Sequence, residues 1–189
     1  MTEPCDIAAL VDRLSRIAHS LQFSHGLNPA QWEALRYLAR ANKYSTSPGV
    51  LADWLGTTKG TVSQTLIALE SKGLIHRIRC DADRRKVRLG LTGAGHAMLR
   101  NDPLRCIENA CQGLPSAHRD TMVPGLTALV DCLCKRPEGG GFGTCGNCCH
   151  LTSVEGAGGC DGMRCCGLTD EPLAPDELTQ ICANFVATK

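Results

Sequence analysis

The strongest constraint on the fold is a change of hydrophobic period within one continuous stretch, residues 57–91. Apolar residues first recur every three or four positions, which predicts a helix, and Lys72-Gly73 is a typical helix end. Beyond it, apolar and polar residues alternate on both sides of a polar turn, which predicts a β-hairpin. A helix of about two turns, begun by Ser47-Pro48 and ended by Gly56, precedes both. The sequence therefore predicts the order helix, turn, helix, hairpin.

Four longer helices are predicted around this unit from their amphipathic spacing. Asn28 is the expected N-cap of the second one, with proline at the first helical position and Gln31 completing a capping box. Pro137 and the three glycines after it end the last one. The four helices cover about 5–23, 28–41, 92–111 and 116–135.

Two parts with different composition follow from this pattern. Residues 1–136 are predicted to form a mainly α domain with a small β-hairpin wing, a winged helix-turn-helix. Residues 137–141 are predicted as a linker, and residues 142–189 as a small, irregular, metal-bound module that includes a short helix over 176–186.

The charge is small for the whole chain, +1, but it is unevenly distributed. Residues 56–100 contain nine basic and three acidic side chains, a net charge of +6, whereas residues 139–189 carry a net charge of −4. The first segment suits a polyanion and the second does not. No apolar run approaches the roughly 18 residues that span a bilayer, and the N-terminus has no secretory pattern, so we expect a cytoplasmic protein without membrane segments.

The order of elements predicts binding to double-stranded DNA, with the second short helix in the major groove and the hairpin beside it. Hydroxyls and a helix N-terminus bind phosphate, while glutamine and lysine side chains reach base edges. The basic tip of the hairpin supplies cations for phosphates or the minor groove. The predicted DNA contacts are Thr58, Lys59, Thr61, Ser63 and Gln64 on the helix, and Arg84, Arg85 and Lys86 on the wing.

This part of the chain resembles the MarR family of transcriptional regulators over roughly residues 5–136. The resemblance is carried by Leu51-Ala52-Asp53-Trp54-Leu55, by residues 61–75, and above all by Asp81-Ala82-Asp83-Arg84-Arg85 followed by Leu91-Thr92-Gly93-Ala94-Gly95. It implies a homodimer formed by the first and the last two helices, bound to a pseudo-palindromic operator. It implies no enzyme activity.

Cysteine is the second unusual feature, because eight of the 13 cysteines lie from Cys134 onward. Where thiols are kept reduced, such a cluster indicates a metal site or redox chemistry more than a disulfide framework. Cys145 and Cys148 form a CxxC pair, whose spacing lets two thiolates reach one metal from a tight turn.

The module resembles C-terminal extensions found on some MarR-like proteins, which carry CxxCxHL, then CxLTxxPL, then Ile-Cys. The matching positions are Cys145, Cys148, His150, Cys166 and Cys182. The expected ligand set is Cys145, Cys148, Cys166 and Cys182. Replacement of one of them by Cys149, Cys160, Cys165 or His150 stays open.

Two kinds of bound group fit a site with four thiolate ligands. An iron-sulfur cluster, either 2Fe-2S or 4Fe-4S, makes the site a sensor, and zinc makes it structural. We expect the cluster, with operator binding modulated by its state through the adjacent dimerisation helices. The alternatives are a zinc-stabilised regulator that senses a small molecule, and an iron-sulfur electron carrier on a helix-turn-helix scaffold.

Overall fold

The computed structural model describes residues 3–80, 83–133, 140–154 and 163–188. The helices are α1 (Pro4–Leu21), α2 (Pro29–Arg40), α3 (Pro48–Trp54), α4 (Lys59–Ser71), α5 (Gly93–Leu99), α6 (Arg105–Gln112) and α7 (Ser116–Leu133). The strands are β1 (Ile75–Cys80), β2 (Asp83–Leu91), β3 (Gly140–Thr144), β4 (Leu151–Val154), β5 (Met163–Cys166), β6 (Glu171–Pro172) and β7 (Ile181–Val186). Short 3-10 helices cover Cys145–Asn147 and Glu177–Thr179.

Local capping explains where the central helices begin. The Asn28 side chain accepts a hydrogen bond from the Gln31 backbone amide at 2.9 Å, and the Gln31 side chain accepts one from the Asn28 amide at 3.3 Å. Ser47 caps α3 through the Val50 amide. These starts are confirmed, and so is the end of α4, because Gly73 adopts the left-handed conformation that glycine tolerates.

The hydrophobic core lies among α2, α3, α4 and the root of the hairpin. Its members come from the apolar face of each helix and from alternate positions of the strands. The largest fully buried apolar side chains are Trp32, Tyr37, Leu35, Leu51, Leu66, Leu69, Ile75 and Val62. The predicted winged-helix arrangement of helix, turn, helix and hairpin is therefore present.

The hairpin is antiparallel, and its register pairs Ile75 with Leu91 and Arg77 with Leu89. A register shift lies between Arg79 and Cys80, next to the turn. Such irregularities increase the local twist of a strand pair. The turn residues 81–82 lie outside the described residues.

A tight corner joins the hairpin to α5. The Thr92 hydroxyl donates to the Gly73 carbonyl at 2.6 Å and accepts the Gly95 amide at 3.0 Å. Gly95 is buried so closely against the Leu74 carbonyl oxygen that a Cβ built on it would lie 2.2 Å away. The Leu-Thr-x-x-Gly motif thus fastens the wing to the end of α4.

The single helix predicted over 92–111 is wrong, because α5 ends at Leu99 and α6 begins only at Arg105. Pro103 lies in the break, where it lacks the amide that a continuous helix needs. Asp102 stabilises the turn by accepting the Leu104 amide at 2.9 Å.

The long terminal helices of the described domain have no buried residue, although both carry apolar side chains. On α1 the exposed large apolar side chains are Ile7, Leu10, Val11, Leu14 and Ile17. On α7 they are Met122, Val123, Leu126, Val130 and Leu133. Within one subunit these faces are uncovered.

The C-terminal part is built from strands. β3 pairs with β7, and β4, β5 and β6 form a separate three-stranded sheet. The predicted helix over 176–186 is wrong: only Glu177–Thr179 is a 3-10 turn, and Ile181–Val186 is a strand. Pairing with β3, and a parallel bridge between Ala41 and Ile181, override the helical spacing of its apolar residues.

This strand also joins the module to the winged helix. Ile181 is 4% exposed and belongs to the core cluster of the winged helix. Phe142 packs edge-to-face on Trp54, with ring centroids 5.0 Å apart, and on Tyr37 at 6.3 Å. Gly140 and Gly141, predicted as linker, are the start of β3 instead, because β7 supplies them with a pairing partner.

Gly95→Ala should destabilise the fold by about 1 to 3 kcal/mol, because the added methyl group meets a backbone carbonyl that already accepts the Thr92 amide. The matched control is Gly93→Ala at the start of α5, where the methyl group meets no atom within 4 Å. Chemical denaturation should show the first variant destabilised and the second unchanged or slightly stabilised. Equal free energies of unfolding in the two variants would contradict the role of the corner.

Candidate nucleic-acid interface and cysteine pocket

The polar face of α4 is exposed, and its other face is in the core. Val62, Thr65, Leu66 and Leu69 are buried. The five predicted DNA contacts on this element, Thr58, Lys59, Thr61, Ser63 and Gln64, are all exposed. The first turn and the middle of α4 therefore present donors and acceptors to solvent.

Thr58 begins α4. Its hydroxyl accepts the Thr61 amide at 3.2 Å, and the two hydroxyls lie 3.0 Å apart. This N-cap leaves the other amides of the first turn free to bind an anion beside the exposed Lys59. The arrangement suits a phosphate of a nucleic acid backbone.

Ile67 is a residue that the sequence prediction missed on this face. Its side chain is 50% exposed, three residues after Gln64 and seven after Gly60. An exposed apolar side chain beside polar ones can contact a thymine methyl group in the major groove. The signal was its spacing relative to Gln64, since it falls on the polar side of an otherwise amphipathic helix.

The wing is described in its backbone and at its root. The side chains of Arg84, Arg85 and Lys86 lie outside the described residues, so their predicted contacts stay predictions. At the root, Arg77 donates to Glu70 of α4 at 3.1 Å. That pair fastens the hairpin to α4 on a partly exposed surface.

A pocket in the C-terminal part brings together the four cysteines predicted as ligands. It contains about 420 Å³ of empty space, a figure that includes open solvent. Cys145, Cys148, Cys166 and Cys182 line it, together with His150. Leu151, Leu168 and Leu173 supply apolar wall, and Asn42 and Tyr44 close the side toward the winged helix.

The fold explains how distant cysteines meet. Cys145 and Cys148 lie on and after the 3-10 turn that follows β3, and the Cys148 amide donates to the Cys145 carbonyl at 3.1 Å. Cys166 ends β5, where it pairs with Leu151 and Glu171. Cys182 is the second residue of β7. It lines the pocket while its neighbour Ile181 enters the core, as expected for side chains that alternate along a strand.

Adjacent cysteines are separated by the same geometry. Cys149 is exposed and Cys165 is half-buried, and of the described residues neither lines the pocket. Cys160 lies outside the described residues. His150 does line the pocket, so its place among the candidate ligands stays open.

The pocket is a low-dielectric environment for thiols. Cys145, Cys148 and Cys182 are less than a tenth exposed. Burial, followed by the nearby thiols of Cys182, Cys166 and Cys148, raises the pKa of Cys145 to about 11. Without a bound cation this thiol is therefore protonated at neutral pH.

The four cysteines line one pocket, but they do not form a recognisable site for a metal ion. Within the described ranges, no group of three or more His, Cys, Asp or Glu side chains is arranged to hold a single metal ion.

Tyr44 and Asn42 are pocket residues that no sequence pattern singles out. They lie in the segment between α2 and α3, more than 100 positions before the first cysteine of the pocket. The Tyr44 hydroxyl donates to Glu171 at 2.6 Å, and Lys43 pairs with the same carboxylate at 2.5 Å. Hydrogen bonds from Lys43 and Tyr44, with a smaller effect of Arg88, lower the pKa of Glu171.

A family model supports the fold of the first part: residues 25–86 match the MarR family. The match ends before the cysteine-rich part. Among the helices of the described ranges, none is long and apolar enough to cross a membrane.

Curated relatives point the same way. The chain is 28% identical over 102 residues to the transcriptional repressor MprA of Escherichia coli K12. That alignment covers 52% of this chain and 58% of MprA, so the chain spans less than two thirds of the relative that it matches.

Solved structures share the fold. Streptococcus pneumoniae FabT in complex with DNA is 26% identical, with a TM-score of 0.52, over 67% of this chain and 92% of that one. A point mutant of Staphylococcus aureus MepR gives a TM-score of 0.57 at 22% identity, over 70% and 99%. A mutant of Escherichia coli MarR gives 0.54 at 19% identity, over 69% and 98%. The helical part of the chain thus has the winged-helix fold of MarR-family regulators.

Proposed function

We propose that the chain is a transcriptional regulator that binds a pseudo-palindromic operator as a homodimer and represses nearby genes. The observation that carries this proposal is the exposed polar face of α4, held by a buried face in the core and flanked by a hairpin. A MarR-type winged helix uses these two elements to bind DNA. We propose no enzymatic activity.

On α4 we assign Gln64 to a base edge and Ile67 to a thymine methyl group, since both side chains are exposed on the same face. Thr58, Lys59, Thr61 and Ser63 are assigned to phosphates near the helix N-terminus. Arg84, Arg85 and Lys86 are assigned to the backbone or the minor groove on the strength of their sequence. FabT, a protein of similar fold, was solved in complex with DNA, which supports DNA as the ligand of this surface.

The homodimer follows from the uncovered apolar faces of α1 and α7. On α7, Val123 is 67% exposed and Leu133 is 76% exposed. Apolar side chains of this number along two helices destabilise an isolated subunit in water, so a second copy is the occupant that covers them. A dimer also places two copies of α4 on the two halves of a palindromic operator.

For the cysteine pocket we propose an iron-sulfur cluster held by Cys145, Cys148, Cys166 and Cys182, either 2Fe-2S or 4Fe-4S. Four cysteines that line one pocket with partly apolar walls supply the donor set that such clusters use. The bound group would supply a centre that responds to oxidants or iron supply. Zinc stays the alternative that the experiment below distinguishes.

The chain's own contribution to this site is its control of protonation and access. Because burial keeps the Cys145 thiol protonated in the empty pocket, occupation by a cation must release a proton. Loading should therefore become tighter as the pH rises toward the raised pKa. In a reducing cytoplasm, where we place the protein, the thiols stay available for this exchange.

Gln64→Ala should change the preference among operator variants by about 1 to 3 kcal/mol at one base pair, because it removes a base-edge donor and acceptor.

Arg84→Ala should weaken binding to all sequences alike and lower the salt slope by about one. Fluorescence anisotropy with an operator panel at several salt concentrations measures both effects.

Gln112→Ala on α6 and Arg164→Ala on β5 are the matched controls, since both side chains are exposed outside the winged helix-turn-helix. Both should leave the affinity and the salt slope as they are. A uniform loss of affinity in Gln64→Ala, with base preference intact, would reject this residue as a base reader.

Replacing any one of the four proposed ligands with serine should abolish stoichiometric loading of the cluster, because a missing thiolate opens the coordination shell. The variants are Cys145→Ser, Cys148→Ser, Cys166→Ser and Cys182→Ser. The matched controls are Cys149→Ser and Cys165→Ser, which change the chain neighbours of two ligands without touching the pocket wall. Cys106→Ser and Cys132→Ser on α6 and α7 are further controls. Anaerobic absorption spectra with iron, sulfide and zinc analysis supply the readout.

Coloured protein with iron and sulfide in the wild type and the controls supports the cluster. Colourless protein with one zinc per chain, lost in the four pocket variants, supports a structural zinc site. Loss of loading in Cys149→Ser or Cys165→Ser, with a pocket variant still loaded, would overturn the ligand set.

A further inference from the structure

The segment between α2 and α3 separates the cysteine pocket from the DNA-binding elements. We call residues 41–46 the α2–α3 loop. Asn42 and Tyr44 of this loop line the pocket, and Asn42 and Ser45 are buried, at 4% and 0% exposure. The loop is therefore part of the pocket wall and part of the winged-helix interior.

On the pocket side, the loop holds both chain neighbours of Cys182. The Asn42 amide donates to the Ile181 carbonyl at 2.9 Å, and the Ala183 amide donates to the Ser45 hydroxyl at 2.9 Å. The Ser45 hydroxyl in turn donates to the Asn42 side chain at 2.7 Å. A displacement of Cys182 must therefore move the loop or break buried hydrogen bonds.

The loop is connected to Cys166 as well. Tyr44 and Lys43 both bind the Glu171 carboxylate, and Glu171 is the sheet partner of Cys166. The Tyr44 hydroxyl also lies 3.3 Å from the Thr169 hydroxyl. Two of the four pocket cysteines are thus anchored to the same short loop.

On the other side, the loop holds the DNA-binding elements. The Ser45 carbonyl accepts the Tyr37 hydroxyl of α2 at 2.7 Å. The Thr46 carbonyl accepts the Leu89 amide of wing strand β2 at 2.9 Å. Ser47, the next residue, is the N-cap of α3.

We propose that occupancy of the cysteine pocket is transmitted to the wing and to α3 of the same subunit through the α2–α3 loop. The inference rests on the proposed function for its consequence, a change in operator affinity. Leaving a buried donor or acceptor unpaired is costly, so the bonded loop moves as one body with Cys182 and Leu89. Close-packed interiors transmit such shifts.

The rival route is the one that the sequence suggested, through the dimerisation helices. In the structure, Arg36 of α2 donates to Asp102 at 3.0 Å and to the Gln22 side chain at the end of α1. This network connects the winged helix to the α1 and α5–α6 segments. A variant in this network is a matched control, because it changes a hydrogen bond of the winged helix that does not involve the α2–α3 loop.

The test uses the whole chain, residues 1–189, in two forms, with the cluster assembled anaerobically from ferrous and ferric iron with sulfide, and with the cluster removed by chelation. The variants are Ser45→Ala, which removes the bond to β7, and Tyr44→Phe, which keeps the pocket wall and removes the bond to Glu171. Asp102→Asn tests the rival route. The readouts are the ratio of operator affinities in the two forms and hydrogen exchange at the Leu89 amide.

Coupling between two sites is commonly about 5- to 150-fold. On that scale we expect the affinity ratio to fall below about twofold in Ser45→Ala, to fall partway in Tyr44→Phe, and to stay at the wild-type value in Asp102→Asn. In the wild type, removal of the cluster should speed exchange at Leu89 and leave α1 and α7 unchanged. If Ser45→Ala fails to fold, Tyr44→Phe and the exchange data decide the question.

If the two forms of Asp102→Asn bind the operator equally, while both loop variants keep the wild-type ratio of affinities, the inference is overturned and the proposed function still stands. If the affinity of the wild type is equal in both forms while Leu89 exchange still responds, regulation by the cluster fails and the connection through the loop is supported. If zinc alone loads, the same comparison is made with zinc-loaded and chelated protein. Exchange that changes only in α1 and α7 would reject the loop in either case.

Discussion

Ile181 completes the core of the winged helix from strand β7, far along the chain from the helices that surround it. Full burial of an isoleucine side chain stabilises a fold by about 1.5 to 3 kcal/mol. Because strand side chains alternate, the same backbone that places Ile181 in the core turns Cys182 toward the pocket. Ile181 and Phe142 supply the apolar contacts that hold the cysteine pocket against the winged helix, and the hydrogen bonds of residues 42–45 reinforce them.

The surface that suits a second copy of the chain is therefore different from the surface on which the cysteine-rich module packs. The apolar faces of α1 and α7 are uncovered in one subunit and suit a second copy, whereas the module packs on the α2–α3 loop and Trp54. A module that followed the last helix in sequence was expected to act on the dimerisation helices. Its bonds to residues 42–45 place it beside the wing and α3, which adjoin the helix that we assign to DNA.

Features set by neighbouring residues could be predicted from the sequence. Asn28, Ser47 and Gly73 mark helix ends through interactions within a few positions, and all three are observed. The break between α5 and α6 was foreseeable at Pro103, whose missing amide outweighs an apolar pattern that runs through it. The four pocket cysteines are brought together as the motif resemblance implied, although their role as ligands stays a proposal.

Long-range pairing was the part that the sequence could not reveal. Residues 178–185 have apolar spacing that fits a helix equally well, and only β3 and Ala41 decide for a strand. The same limit applies to Asn42 and Tyr44, whose place in the pocket depends on β7 reaching the α2–α3 loop. Neither residue has a local pattern that points to cysteines so far along the chain.

The central claim is that the cysteine-rich part and the winged helix share one core. Denaturant unfolding tests it most directly, with tryptophan fluorescence reporting Trp32 and Trp54 and pulsed alkylation with mass spectrometry reporting Cys182 in the same samples. A shared core predicts that Cys182 becomes reactive with the same midpoint at which the fluorescence changes, because Ile181 cannot leave without opening that core. Alkylation of Cys182 at a clearly lower denaturant concentration, with the fluorescence still native, would contradict it.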